Sequence, residues 1–193
     1  MGNKPSIPLA EEEIVELQNE TGFSRSQLKS MYSRFLHLCG DGKDEVIRRS
    51  DLLRLSDLKS NPLGSRVVDA FFKDACSDDE TMDFIQFVKA AAIFRPQSKH
   101  TTESALNSTE NKLKFVFEIY DLDGNAAISH EEMLSLLKMM VGPEVNDETL
   151  SQIAERAVRE GDLDEDGYIS FSDFKKALMR TEAENKVSIR FLD

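Results

Sequence analysis

Apolar residues recur along this chain at intervals of three and four, the period of a helix with one buried face. Leu28, Met31, Phe35 and Leu38 share such a face behind Ser24 to Gln27, which has the spacing of a capping box. Asn61-Pro62 reads as a helix start with proline in the first turn, leading to Val67, Val68, Phe71 and Phe72. Further stripes follow at Phe84, Phe87, Val88, Ala91 and Phe94, and at Leu113, Val116, Phe117 and Tyr120. Met133, Leu136, Leu137 and Met140 form the next, stopped by Gly142-Pro143. Leu150, Ile153, Ala157 and Val158 precede a last stripe at Phe171, Phe174, Ala177 and Leu178. The pattern predicts an all-α fold in two halves, with the polar stretch 96–111 as the linker between them.

The segments between these helices carry the chemistry. Residues 162–173 place oxygen side chains at positions 1, 3, 5, 9 and 12, with Gly167 at 6 and Ile169 at 8, the spacing of an EF-hand loop. A hard divalent cation takes six to eight oxygens, and one short loop can supply most of them. The expected ligands are Asp162, Asp164, Asp166, the Tyr168 carbonyl and Asp173, with Ser170 acting through water. Residues 121–132 repeat the pattern with Asp121, Asp123, Asn125, the Ala127 carbonyl, Ser129 and a bidentate Glu132. Ala126 stands where glycine is expected, at a cost of roughly 1 kcal/mol in a left-handed turn. Asp173 is one methylene shorter than the glutamate usual at position 12, so the 162–173 loop should tolerate Mg²⁺ while the 121–132 loop stays strict for Ca²⁺. Ile128 and Ile169 should lie on short paired strands.

Two further segments fit the template only in outline. Residues 40–51 put Gly40 and Gly42 at positions 1 and 3, Lys43 beside Asp44, and Glu45 at the turn position. Residues 75–86, registered through Met82 at position 8, begin with Ala75 and end with Gln86. Both read as repeats that keep the fold and have lost the metal. The expected organisation is therefore an N-terminal segment (1–23), a degenerate EF-hand pair (24–95), the linker (96–111), a metal-binding pair (112–180) and a tail (181–193). Met133, Met139, Met140 and Met179 lie in the metal-binding half, where flexible, polarisable side chains suit a groove that receives a partner helix.

Composition narrows the function classes. A formal net charge of −12 among 193 residues argues against nucleic acid and suits a protein that gathers cations. Cys39 and Cys76 are too few for a disulfide framework and lack metal-ligand spacing. His37, His100 and His130 lie in separate segments with no nucleophile beside them and no glycine-rich phosphate loop is present, so the chain is not expected to be an enzyme. No secretory or membrane-spanning stretch is read, and Met1-Gly2-Asn3-Lys4-Pro5-Ser6 fits an N-myristoylation signal on Gly2. One acyl chain binds membranes only marginally, and Glu11, Glu12 and Glu13 replace the basic patch that would reinforce it, so the second anchor is expected to be a protein. The apolar end of the tail, Val187 to Asp193, is a candidate plug for an empty groove, with a disordered end as the alternative.

Gly2, two degenerate loops before two intact ones, Asn61-Pro-Leu-Gly64, Ile93-Phe-Arg-Pro96, Lys138-Met-Met-Val-Gly142 and Ser188-Ile-Arg-Phe-Leu192 together resemble the calcineurin B homologous proteins. Calcineurin B itself is similar in the same helices, though all four of its loops bind metal. The resemblance implies a myristoylated, Ca²⁺-loaded adaptor on the inner face of the plasma membrane, holding an amphipathic helix from the cytoplasmic tail of a Na⁺/H⁺ exchanger and supporting pH regulation. The family is also linked to calcineurin inhibition and to vesicle traffic. Partnership with the calcineurin catalytic subunit is the second expectation, and a calcium-myristoyl switch the third.

Overall fold

The structure, a computed structural model, describes residues 7–40, 44–73, 81–96 and 105–179. Gly2, residues 41–43 and 75–80 of the first two loops, residues 97–104 of the predicted linker and the tail lie outside them. The first half runs α1 (Glu11–Thr21), α2 (Arg25–Leu38), β1 (Ile47–Arg48), α3 (Arg49–Leu52), α4 (Ser56–Ser60), α5 (Gly64–Lys73), β2 (Thr81–Met82) and α6 (Phe84–Ala92). The second runs α7 (Thr109–Tyr120), β3 (Ala127–Ile128), α8 (His130–Val141), α9 (Asp147–Gly161), β4 (Ile169–Ser170) and α10 (Phe171–Met179). Among the described residues the fold is all-α apart from two antiparallel strand pairs, β1 with β2 and β3 with β4. Ile47 faces Met82 and Ile128 faces Ile169, so position 8 of each loop meets position 8 of its partner.

Local chemistry fixes the helix starts. Ser24, Asp83, Ser108, Ser129 and Asn146 each accept a hydrogen bond from the backbone N–H three residues on, which satisfies a donor that the helix leaves open. Val141 ends α8 before Gly142 at φ 70°, as the Gly-Pro pair predicts. Asn61-Pro62 does not open α5. It forms the turn before it, where the Asn61 side chain accepts from Leu63 N–H at 2.9 Å. Helix α5 begins at Gly64, where a Cβ would lie 2.0 Å from the Leu58 carbonyl oxygen, so only glycine lets α4 and α5 approach this closely.

The N-terminal segment contains a helix that the apolar periodicity does not single out. Glu11, Glu12 and Glu13 occupy the first turn of α1, where the helix dipole favours negative charge, and Ala10 N–H donates to Glu13 at 2.7 Å. Ile14, Leu17 and Thr21 are buried, with Ile14 and Leu17 in the first-half core around Leu28, Phe35, Phe72, Met82 and Val88. Arg95 ties α1 to the end of α6: its guanidinium is buried, donates to the Thr21 carbonyl and lies 5.6 Å from the centre of the Phe23 ring.

Helix α7 serves both halves. The sequence predicts one buried stripe at Leu113, Val116, Phe117 and Tyr120, whereas Leu113, Phe115, Phe117 and Ile119 are the buried residues. Phe117 joins Ile128, Val158 and Ile169 in the second-half core. Phe115 and Ile119 face the other way, onto Ala70, Ile93 and Phe94. A helix clasped on two sides cannot show a single stripe, and this junction binds the halves together. In α9 the buried residues are Leu150, Ala154 and Val158, while Ile153 is 46% exposed.

Candidate metal centres and an apolar cavity

The two intact loops share one scaffold of hydrogen bonds. In the third loop Asp121 Oδ1 accepts from Gly124 N–H at 2.8 Å and Asn125 N–H at 3.1 Å, while Oδ2 accepts from Ala126 N–H at 3.1 Å. In the fourth, Asp162 takes the same three donors, from Glu165 at 2.8 Å, Asp166 at 3.3 Å and Gly167 at 2.8 Å. Position 5 also repeats: Asn125 Oδ1 accepts from Ala127 N–H at 2.8 Å and Asp166 Oδ1 from Tyr168 N–H at 2.9 Å. Carboxylates are thus turned inward by backbone donors before any ion is considered.

Each loop also needs two left-handed residues, and each supplies one glycine and one ordinary residue. Gly124 and Ala126 have φ of 75° and 68°; Glu165 and Gly167 have 63° and 91°. The strain at Ala126 matches the expectation from sequence. Its counterpart at Glu165 escapes the sequence pattern because position 4 of the template names no residue. Ala126→Gly and Glu165→Gly should each stabilise the protein by about 0.5–1 kcal/mol, the relief of left-handed strain less the extra freedom of the unfolded chain. That is a rise in Tm of roughly 1–4 °C for a chain of this size, checked by calorimetry.

The loops part at position 12. Glu132 is buried and reaches back across its loop, with Oε1 accepting from Leu122 N–H at 2.7 Å and Asp123 N–H at 3.3 Å. Oε2 accepts from Ser129 N–H and its hydroxyl, each at 2.8 Å. Burial pushes the Glu132 carboxyl up, but the donors from Ser129, Leu122 and Asp123 outweigh it and hold the group below its usual range. Asp173 is equally buried, but its carboxylate accepts from the Ser170 hydroxyl at 2.6 Å and has no bond to the far side of its loop. Oxygens of Asp121, Asp123 and Glu132 lie within 4.8 Å of one another, as do those of Asp162, Asp164 and Asp166. Burial, then the neighbouring charges of Asp166, Asp173 and Asp162, push the Asp164 carboxyl up. These all-oxygen donor sets fit a hard divalent cation such as Ca²⁺.

In the first loop the template's acids are occupied by the protein's own groups. Asp44 lies 3.6 Å from Arg48, Glu45 accepts from the Tyr32 hydroxyl at 3.0 Å, and Asp51 accepts from Arg48 N–H at 2.9 Å with Arg54 at 3.4 Å. The β1–β2 pairing survives without the acidic set of the other loops. His130 Nε2 lies 3.2 Å from both the Ser151 hydroxyl and carbonyl, linking α8 to α9.

The described apolar cavity is walled by the first half together with Phe115 of α7, away from Met133, Met139 and Met140 of α8. It has a volume of about 270 Å³ and is walled by Leu38, Leu52, Leu55, Leu58, Val67, Phe71, Phe87 and Phe115, with Arg34, Ser56 and Asp57 also lining it. Met133 packs against the second-half core, while Met139, Met140 and Val141 are 37, 55 and 42% exposed on α8. Leu52 of α3 and Ser56, Asp57 and Leu58 of α4, two short helices, supply part of its wall.

Paired helix–loop–helix units with acidic, oxygen-lined loops define an EF-hand calcium-binding protein, and the family model for an EF-hand domain pair matches residues 110–179. Over its whole length the chain is similar to the calcineurin B protein of Naegleria gruberi, 36% identical over 190 residues covering 98% of this chain and 99% of that protein. It is likewise 38% identical over 192 residues to the type 1 calcineurin B protein of Dictyostelium discoideum, covering 99% of each. The calcineurin B protein of Candida glabrata is 34% identical over 192 residues, again 99% of each chain. The chain belongs to the calcineurin B-like EF-hand family and is a calcium-binding regulatory protein rather than an enzyme. The names of these relatives fit the calcineurin expectation better than the exchanger expectation.

Proposed function

We propose that this chain is the regulatory partner of a calcineurin-like phosphatase, receiving an amphipathic helix of the catalytic chain in the cavity between α2, α5, α6 and α7. The observation that carries the reading is similarity to calcineurin B proteins across the full chain. The cavity supports it, since its apolar walls and few polar groups suit a helix that presents one apolar face. Asp121, Asp123, Asn125, Ala127 and Glu132 would hold one Ca²⁺, and Asp162, Asp164, Asp166, Tyr168 and Asp173 a second. The bound ion supplies positive charge at the centre of each loop. The chain's residues do the rest, with β3 and β4 linking the two loops and α7 leading from the third loop to the cavity wall.

The second reading is the exchanger-tail adaptor. It is favoured by the first loop, where Arg48, Arg54 and Tyr32 already engage the acids and leave calcium a structural role in the second half. Myristoylation of Gly2 and residence on the inner face of the plasma membrane go with either reading.

Co-expression of the full-length chain with a calcineurin catalytic subunit, and separately with an exchanger tail, tests the order. Stable recovery of the catalytic subunit, lost in Val67→Asp on the cavity wall, is expected. Recovery of the exchanger tail alone would reverse the two readings.

The fourth loop carries its own test. Asp173→Glu should reach the centre of that loop with two oxygens, tightening Ca²⁺ about tenfold and sharpening the preference over Mg²⁺. Calcium titration in excess Mg²⁺, followed at the Gly167 amide, measures it. An unchanged preference would remove position 12 as the reason the loops differ.

A further inference from the structure

We propose that Lys73, the last residue of α5 in the first half, sets the calcium affinity of the third loop by competing with the ion for Asp121. The inference rests on Asp121 being a ligand of that loop. Lys73 Nζ lies 3.8 Å from Asp121 Oδ2, the oxygen that also accepts from Ala126 N–H. A Cβ built on Gly124 would meet Nζ at 3.1 Å, so the ammonium lies against the left-handed turn at position 4 as well as beside the carboxylate at position 1. The Asp121 side chain is only 4% exposed, whereas that of Lys73 is 41% exposed, so the lysine reaches inward from a position with an open way back to solvent. In the fourth loop position 1 is free of such a contact: among the described residues Asp162 has no ion pair, and the lysine beside that loop, Lys176, lies 3.8 Å from Asp173 at position 12, three residues on along the same helix.

The physical consequence is a competition between cations. A divalent ion among Asp121, Asp123 and Glu132 would sit beside the ammonium, and like charges at this separation repel. The flexible lysine can swing out, and the ion gains several oxygens where the ammonium gains one. Loading therefore proceeds, with an affinity lowered by the contact it must break.

The same contact couples the ion to the cavity. Lys73 continues the helix whose Val67 and Phe71 line the cavity. An occupant that moves α5 off the third loop should tighten calcium there, and calcium should favour that occupant by the same factor.

Calcium titration of the full-length protein by amide NMR separates the sites, with Ala126 reporting the third loop, Gly167 the fourth and Phe72 the end of α5. Lys73→Met keeps the stem and removes the charge; it should tighten the third loop about three- to tenfold, the half-exposed pair being partly screened. The unchanged fourth loop serves as the check on folding. Lys73→Arg should stay near the wild-type affinity. The Phe72 amide should shift on loading in the wild type and not in Lys73→Met. Equal third-loop affinity in wild type and Lys73→Met overturns the proposal, as does a gain of the same size in Lys73→Arg. A Phe72 shift that persists in Lys73→Met overturns the coupling. An Ala126 amide that never responds to calcium in any variant removes the ion site itself, and the proposal with it. A response that emerges only in Lys73→Met supports it.

Discussion

Glu132→Gln should abolish calcium binding at the third loop at working concentrations, lowering affinity roughly 100- to 1,000-fold, the loss expected when one partner of a buried charge contact is neutralised. The side chain does two jobs. Its Oε1 gathers Leu122 and Asp123 N–H, and its Oε2 gathers the Ser129 N–H and hydroxyl, so one carboxylate closes the loop across its width and caps α8. Glutamine replaces one of these acceptors with an NH₂ that faces donors. The ion-free protein should therefore also lose about 1–3 kcal/mol, the cost of leaving buried donors unmatched. Calorimetric titration gives the site count, expected to fall from two to one with the fourth loop's affinity nearly unchanged. Two undiminished sites would show that position 12 does not close the third loop. Glu132→Asp makes a useful companion, because it keeps the charge and shortens the reach, converting the third loop into a copy of the fourth at that position.

The loops are legible in the sequence because their constraints are local. Asp121, Asp123 and Glu132 must converge within one turn of chain, and nothing distant alters that spacing. The pairing of Ile128 with Ile169 is legible for the same reason, since position 8 is fixed by the loop, and it recurs as Ile47 with Met82 where the acids have gone. What is not legible depends on distant neighbours. Phe115 and Ile119 fall off the predicted stripe of α7 because their partners, Phe94 and Ala70, come from the other half. Lys73 reads as a helix-terminal lysine until Asp121, far along the chain, is folded against it. Methionine chemistry points to a groove in the second half. The described cavity lies instead between α2, α5, α6 and α7, with the short helices α3 and α4 supplying part of its wall, a property of packing that composition does not carry. Helix α1 escapes the apolar periodicity because its buried face is only Ile14, Leu17 and Thr21, too few positions to show a stripe.

Phe115→Ala should cost about 3–5 kcal/mol, the usual penalty for removing a large buried ring from a core. The residue is 1% exposed, and its ring meets Phe94 edge to face at 4.7 Å and 84°, an arrangement worth roughly 0.5–1.5 kcal/mol beyond burial. For a chain of this size the loss corresponds to a fall in Tm of about 6–20 °C. The location predicts more than the magnitude. Phe115 holds α7 of the second half to α5 and α6 of the first, so its removal should weaken the cooperativity between halves and split one calorimetric transition into two. Phe35→Ala, deep in the first-half core with Phe84 and Phe87 around it, should cost a similar amount and lower the transition without splitting it. A single, little-shifted transition in Phe115→Ala would show that the halves hold together by other means. Because Phe115 is also a wall of the cavity, the variant should weaken docking of a partner helix even where the fold survives. Saturating calcium should then recover stability chiefly in the second half, since Asp121, at the end of α7, would still be held by its own loop. Calcium that protects both transitions equally would place the coupling between the halves elsewhere than at this ring.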